Sequence, residues 1–251
     1  MTRQCFSALT CVLVSLIGVS SVQADGPWAF QYESLFMKLH TSHGASTDNV
    51  FGLDPANRFA LSYIRDTNVG ARITYFDYDH SGTFTAPGGT RTISLDMQNT
   101  DFEIFKRFNL SSQTTLEASG GLRKSVNEVF FPTAFEPNHF NGLGGFLGFR
   151  GTTRAFTGGD LYARGKYAIL GGNGVHDGNA INTPVRYDES RTQTELAIGY
   201  QHSISMGRFI VTPHLGAEWM NLSSYLIDPV DEHPESDMML GGLTCGINVN
   251  F

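Results

Sequence analysis

Met239-Leu240-Gly241-Gly242-Leu243-Thr244-Cys245-Gly246-Ile247-Asn248-Val249-Asn250-Phe251 is the last stretch of this 251-residue chain. Taken in steps of two, Phe251, Val249, Ile247, Cys245, Leu243, Gly241 and Met239 form one largely apolar set. Asn250, Asn248, Gly246, Thr244, Gly242 and Leu240 form the other, mostly polar or small. A strand repeats every two residues, so the pattern predicts a strand with one oily and one wet face. An aromatic at the end of such a strand is the habit of bacterial outer-membrane barrels, and Phe251 is expected to serve as their assembly signal.

The opposite end of the chain agrees. Arg3 precedes an apolar run from Phe6 to Val19, and Val22-Gln23-Ala24 offers small residues for cleavage. This predicts a signal peptide over residues 1–24, cut before Asp25, with one domain over residues 25–251. The run is short for a membrane anchor. A lipoprotein reading at Cys11 would place the cut inside the apolar run. Of the three cysteines only Cys245 follows the leader, so no internal disulfide is expected, and Cys245 reads as a small apolar filler.

The processed chain carries 16 basic against 24 acidic residues, Arg3 leaving with the leader. That balance argues against a nucleic-acid partner. No later segment approaches eighteen consecutive apolar residues, so no transmembrane helix is expected. Many glycines and aromatics in a secreted chain suit curved strands with aromatic girdles. The competing reading is a secreted soluble β-sandwich, and the alternating segments decide between them.

Ten such segments run approximately over 29–40, 58–64, 69–78, 92–105, 114–129, 139–152, 159–170, 191–202, 208–222 and on to Phe251. Pro213 lacks a ladder donor, which predicts a bulge or irregularity there. Short connections of turn composition, such as Arg65-Asp66-Thr67-Asn68, follow every second segment. Longer loops follow the others, the longest over 41–57, 171–190 and 223–236. The expected fold is all-β, a closed antiparallel transmembrane β-barrel of about ten strands, with eight or twelve as alternatives. It has short periplasmic turns and long outer loops. Closure follows from the medium: in hydrocarbon every backbone N–H and C=O needs a protein partner, and an open sheet leaves an edge.

Opposite the oily faces lie Glu33, Arg72, Asp101, Glu103, Glu117, Arg123, Arg164, Lys166, Glu195 and Glu218. These ten are the candidate lumen-lining charges. Lone charges in a closed space are costly, so they are expected to be paired or wet.

Three runs carry a family resemblance: Asp101-Phe102-Glu103, Leu116-Glu117-Ala118-Ser119-Gly120-Gly121-Leu122-Arg123, and Phe140-Asn141-Gly142-Leu143-Gly144-Gly145-Phe146-Leu147-Gly148. In that order they resemble the Legionella-type major outer membrane protein family of pore-forming barrels, over about the middle third of the chain. The resemblance implies a porin-like outer-membrane barrel of Gram-negative type and brings no catalytic residues. Gly142, Gly144, Gly145 and Gly148 read as curvature and close strand packing rather than a ligand loop.

Three places invite an enzymatic or cation-binding reading: Asp77-Tyr78-Asp79-His80, His176-Asp177, and the acidic stretch 228–237. Acidic loops are more often solvated faces, and no serine-hydrolase elbow, zincin helix or phosphate loop is present. His214 reads as a hydrogen-bonded wall residue. The expectation is a non-enzyme without metal or cofactor. Its partners would be outer-membrane lipids, lipopolysaccharide and the barrel-assembly machinery, and it would be a monomer in the cell outer membrane. Two functions follow: a passive porin-like channel for small solutes, or a non-conducting structural or surface-binding barrel acting through its outer loops. Size weighs against the first, since eight-stranded barrels are filled by side chains and open channels appear near sixteen strands.

Overall fold

In a computed structural model of the chain, the described residues are 26–41, 52–86, 89–130, 138–156, 158–176, 185–226 and 236–251. Residues 1–25, which hold the expected leader, and 42–51, 131–137, 177–184 and 227–235 of the loops lie outside them, with Asp177 and residues 228–235 of the acidic stretch. The strands are β1 (Trp28–Thr41), β2 (Asp54–Ile64), β3 (Val69–Ala86), β4 (Gly89–Asn109), β5 (Thr114–Phe130), β6 (Asn138–Phe156), β7 (Gly159–His176), β8 (Val185–His202), β9 (Ile204–Met206), β10 (Phe209–Leu226) and β11 (Ser236–Asn250). All pairings are antiparallel, and β1 pairs with both β2 and β11. The result is a closed barrel of ten long strands, with the three-residue β9 continuing the line of β8 against β10.

The seam closes from Ala29 opposite Asn250 up to Thr41 opposite Met238. Below it Phe251 N–H donates to the Trp28 carbonyl (3.0 Å) and Trp28 N–H to the Phe251 carbonyl (3.3 Å). This end of the barrel, the turn end, also holds the short connections. At Arg65–Asn68 the Asn68 N–H donates to the Arg65 carbonyl at 2.9 Å, and Asn68 takes a positive φ of 60°, which asparagine tolerates well. Before β5, Ser111 Oγ accepts from the N–H groups of Gln113 and Thr114 at 3.1 and 3.0 Å.

At the loop end two expectations change. β3 and β4 do not separate into a long loop near Tyr78; they pair on to Ala86 opposite Gly89. Likewise β7 and β8 pair as far as His176 opposite Val185. In these extensions the alternation of apolar and polar residues weakens, as in Gly171-Gly172-Asn173-Gly174 on β7, so they do not read as lipid-facing strands. Pro213 leaves the register with β11 unshifted. On its other side the ladder stops at Val211 opposite Ile204 and resumes at His214 opposite Gln201. The missing donor thus interrupts pairing on that side alone.

Inward glycines set the tightest approaches between strands. A Cβ on Gly121 would overlap the Phe102 carbonyl, and one on Gly144 the Ile169 carbonyl. Gly144 lies in the glycine-rich run read as a packing element; Gly121 is not singled out by that reading.

The outer surface near the turn end is a belt of exposed apolar side chains. Ile104 is 68% exposed, Leu147 74% and Leu215 59%. Aromatics edge it, with Trp28 against Tyr63 at a centroid separation of 4.9 Å. A belt of this extent on every long strand is the signature of a surface that meets something other than water.

Candidate functional site: a filled lumen

Each strand sends alternate residues inward, and the interior changes character along the barrel axis. Toward the loop end it is mainly apolar. Leu35, Met37, Leu39, Phe76, Tyr78, Leu95, Met97, Met220, Leu222, Met238 and Leu240 form one buried cluster, and Phe140, Phe146, Ala168 and Leu170 a second. A narrow polar seam crosses this region, in which Gln193 Nε2 donates to Ser125 Oγ at 3.0 Å and Arg191 meets Glu189 at 2.6 Å.

Below the apolar region lies a layer of charge. All ten sequence-assigned residues sit on the inner face, and the structure joins them into a connected network. Glu33, fully buried, is its hub. Arg58 Nη1 donates to Glu33 Oε2 at 2.8 Å, Arg164 Nη1 to Oε1 at 2.7 Å and Gln31 Nε2 to Oε1 at 2.8 Å. His214 Nε2 lies 2.9 Å from Glu33 Oε1. Glu218 binds the same two arginines, Arg58 at 2.5 Å and Arg164 at 2.6 Å. Across the barrel Arg123 takes Asp101 in a fork of two 2.7 Å bonds and reaches Glu195 at 2.5 Å. Lys166 bridges Asp101 (2.7 Å) and Glu103 (3.2 Å). Arg72 joins Glu103 (3.0 Å) to Glu117 (2.7 Å), and Arg107 adds a second cation to Glu117 at 3.2 Å.

The roof of this layer is aromatic. Arg58 lies over the Phe76 ring at 5.3 Å and Lys166 over Phe146 at 4.7 Å, so cations are attracted to ring faces as well as to carboxylates. Desolvating so many charges is expensive, and only dense, geometrically good pairing offsets it.

Sequence reading missed Arg58, Arg107 and Arg150 as members of this interior. Arg58 opened its segment, one residue before the first clear alternation with Phe59, and its parity was the available signal. Arg150 stands apart. Its Nη2 donates to the neutral Gln201 Oε1 at 3.0 Å, and no carboxylate lies within 4.0 Å of it among the described residues.

Two cavities lie below the apolar region among the described residues. One of about 70 Å³ lies within the charged layer, lined by Arg58, Asn99, Asp101, Arg164 and Glu218 among others. The second, about 240 Å³, is a vestibule at the turn end lined by Trp28, Ser62, Arg72, Arg107, Glu117, Arg150, Gln201 and Asn250 among others.

The enzymatic candidate on β3 divides between two faces. Tyr78 is buried inside, and His80 Nε2 lies 2.6 Å from the Pro55 carbonyl oxygen, while Asp79 is exposed on the outer face. Among the described residues no group of three or more histidine, cysteine or acidic side chains is arranged to hold a metal ion.

No family model matches the chain, and no characterised protein matches it by sequence. Solved structures do. The outer membrane protease OmpT from Escherichia coli matches over 93% of this chain and 99% of its own, with a TM-score of 0.51 at 11% identity. The Pseudomonas putida toluene transporter TodX matches over 96% and 93%, with a TM-score of 0.35 at 10% identity. The fold is that of an outer-membrane β-barrel. At such identities the likeness concerns architecture, not chemistry.

Proposed function

We propose that this chain is a closed, non-conducting barrel of the Gram-negative outer membrane, acting through the surface it presents at its loop end. The observation that carries this reading is the double filling of the interior. An ion-paired layer occupies the cross-section at the level of the apolar belt, and a buried apolar cluster lies above it. The cavities of about 70 and 240 Å³ below that cluster are small against the aqueous lumens of wide porins. This favours the surface-acting reading over the porin-like channel for small solutes that the sequence resemblance implies.

In this reading the belt contacts lipid, the turn end faces the periplasm, and the loop end stands in the lipopolysaccharide layer as a monomer. Phe251, paired to Trp28 at the seam, is available at the periplasmic end as an assembly signal.

Planar-bilayer recording of the refolded protein tests the proposal. The expected trace is flat at all voltages the membrane tolerates. Discrete, reproducible unitary openings would overturn it and restore the channel reading.

A further inference from the structure

The vestibule at the turn end combines three properties that the filled lumen does not explain. It is a sizeable cavity, about 240 Å³. Its charge is unbalanced: Arg72, Arg107 and Arg150 line it against the single carboxylate of Glu117, which Arg72 and Arg107 already share. Elsewhere in the network every cation reaches a carboxylate, whereas Arg150 meets the Gln201 amide oxygen and the face of the Tyr162 ring (5.7 Å) but no carboxylate within 4.0 Å among the described residues.

We propose that the vestibule is a binding site for a small oxyanion of the phosphate type, held by Arg150 with help from Arg107. A guanidinium is always charged and presents a rigid fork of donors matched to oxyanions. Arg150 spends one donor on Gln201 and retains the rest of its fork. Holding an unpaired cation in a lined cavity is costly, and an anion removes that cost. The volume suits a phosphate-sized group with a few waters of about 30 Å³ each, and it falls below the roughly 300–1,000 Å³ typical of pockets for larger organic ligands. Access is from the turn end, because the charged and apolar layers close the other side. The ligand is therefore a soluble anion of the compartment that the turn end faces. The binding itself does not depend on whether the barrel conducts; the side of access rests on the closed lumen of the proposed function.

The test is isothermal titration of inorganic phosphate into the refolded protein in a zwitterionic detergent, with chloride at matched ionic strength as reference. The expected result is saturable binding of one phosphate per chain. Arg150→Gln should weaken it about ten- to hundredfold, the loss of one charge-assisted contact. Gln201→Glu supplies Arg150 with a carboxylate from within the chain and should abolish phosphate binding while leaving the fold intact. It decides the matter should Arg150→Gln fail to refold. Lys124→Gln, an equal loss of charge on the outer face, should bind as the parent does. Heats no different from the chloride reference, or affinities unchanged in both Arg150→Gln and Gln201→Glu, would overturn the proposal.

Discussion

On β1 the inward residues change from Gln31 and Glu33 near the turn end to Leu35, Met37 and Leu39 near the loop end. The outward ones change the other way, from Trp28, Phe30 and Tyr32 to Ser34, Lys38 and His40, with Phe36 at the crossing. On β4 the same exchange occurs: Glu103 and Asp101 inward give way to Met97 and Leu95, while Ile104 and Phe102 outward give way to Gln98 and Asp96. The turn-end half is polar within and oily without; the loop-end half is oily within and polar without. One backbone ladder serves both. The comparison teaches that the medium outside, not the fold, decides which face carries the apolar residues: the lower half is built for hydrocarbon and the upper half for water.

The sharpest way to break this comparison is to change neighbouring inward residues of one strand. Glu218→Gln leaves Arg58 and Arg164 with Glu33 alone of their two shared anions, and the expected loss is about 3–5 kcal/mol, as for other broken buried pairs. Urea unfolding of the protein in detergent, followed by tryptophan fluorescence, measures it. Replacing Glu218 and Arg58 together by methionine should cost less than the single change, because no lone charge is left behind. Two residues toward the loop end, Met220→Ala should lose roughly 2–5 kcal/mol for a different reason, the cavity left in the apolar cluster. A Glu218→Gln cost near zero would mean that the charged layer is wet rather than paired.

The outer face offers a second contrast along one strand. Ile104→Arg should destabilise by about 2–4 kcal/mol when folding is followed into lipid vesicles, the cost of a cation in the apolar belt. Gln98→Arg, six residues along on the same face, should stay within about 0.5 kcal/mol, as for an ordinary wet surface. Equal costs would mean that the belt continues past Thr100. The smallest expected effect is a gain. Asp96 lies directly opposite both Asp79 and Glu128 in the ladder, so Asp96→Asn should stabilise by roughly 0.2–1 kcal/mol through relief of like charges. The gain should shrink in high salt.

The polarity reversal also explains what the sequence revealed and what it hid. The lower half of each strand was legible, because Phe102, Ile104 and their neighbours alternate with charges that have no other place to go. The inward parity of all ten charged candidates follows from that alternation. The upper halves were harder. Past Tyr78 on β3 and Leu170 on β7 the apolar residues move to the inner face or give way to glycine and polar residues, so the two-residue signal fades although the ladder continues. The partners within the charged layer were not legible at all. Arg58 and Glu218 are 160 residues apart in the chain, and only the closed circumference and its register bring them together.

The seam has a consequence for the chain as a thread. Because Trp28 and Phe251 exchange backbone hydrogen bonds, the barrel wall from Trp28 to Phe251 closes on itself as a ring. A circularly permuted gene, joined by a few residues across that seam and reopened between β3 and β4, retains every ladder of the cylinder while shifting which strand emerges last from the ribosome. It would separate the information stored in the wall from the information stored in the order of synthesis.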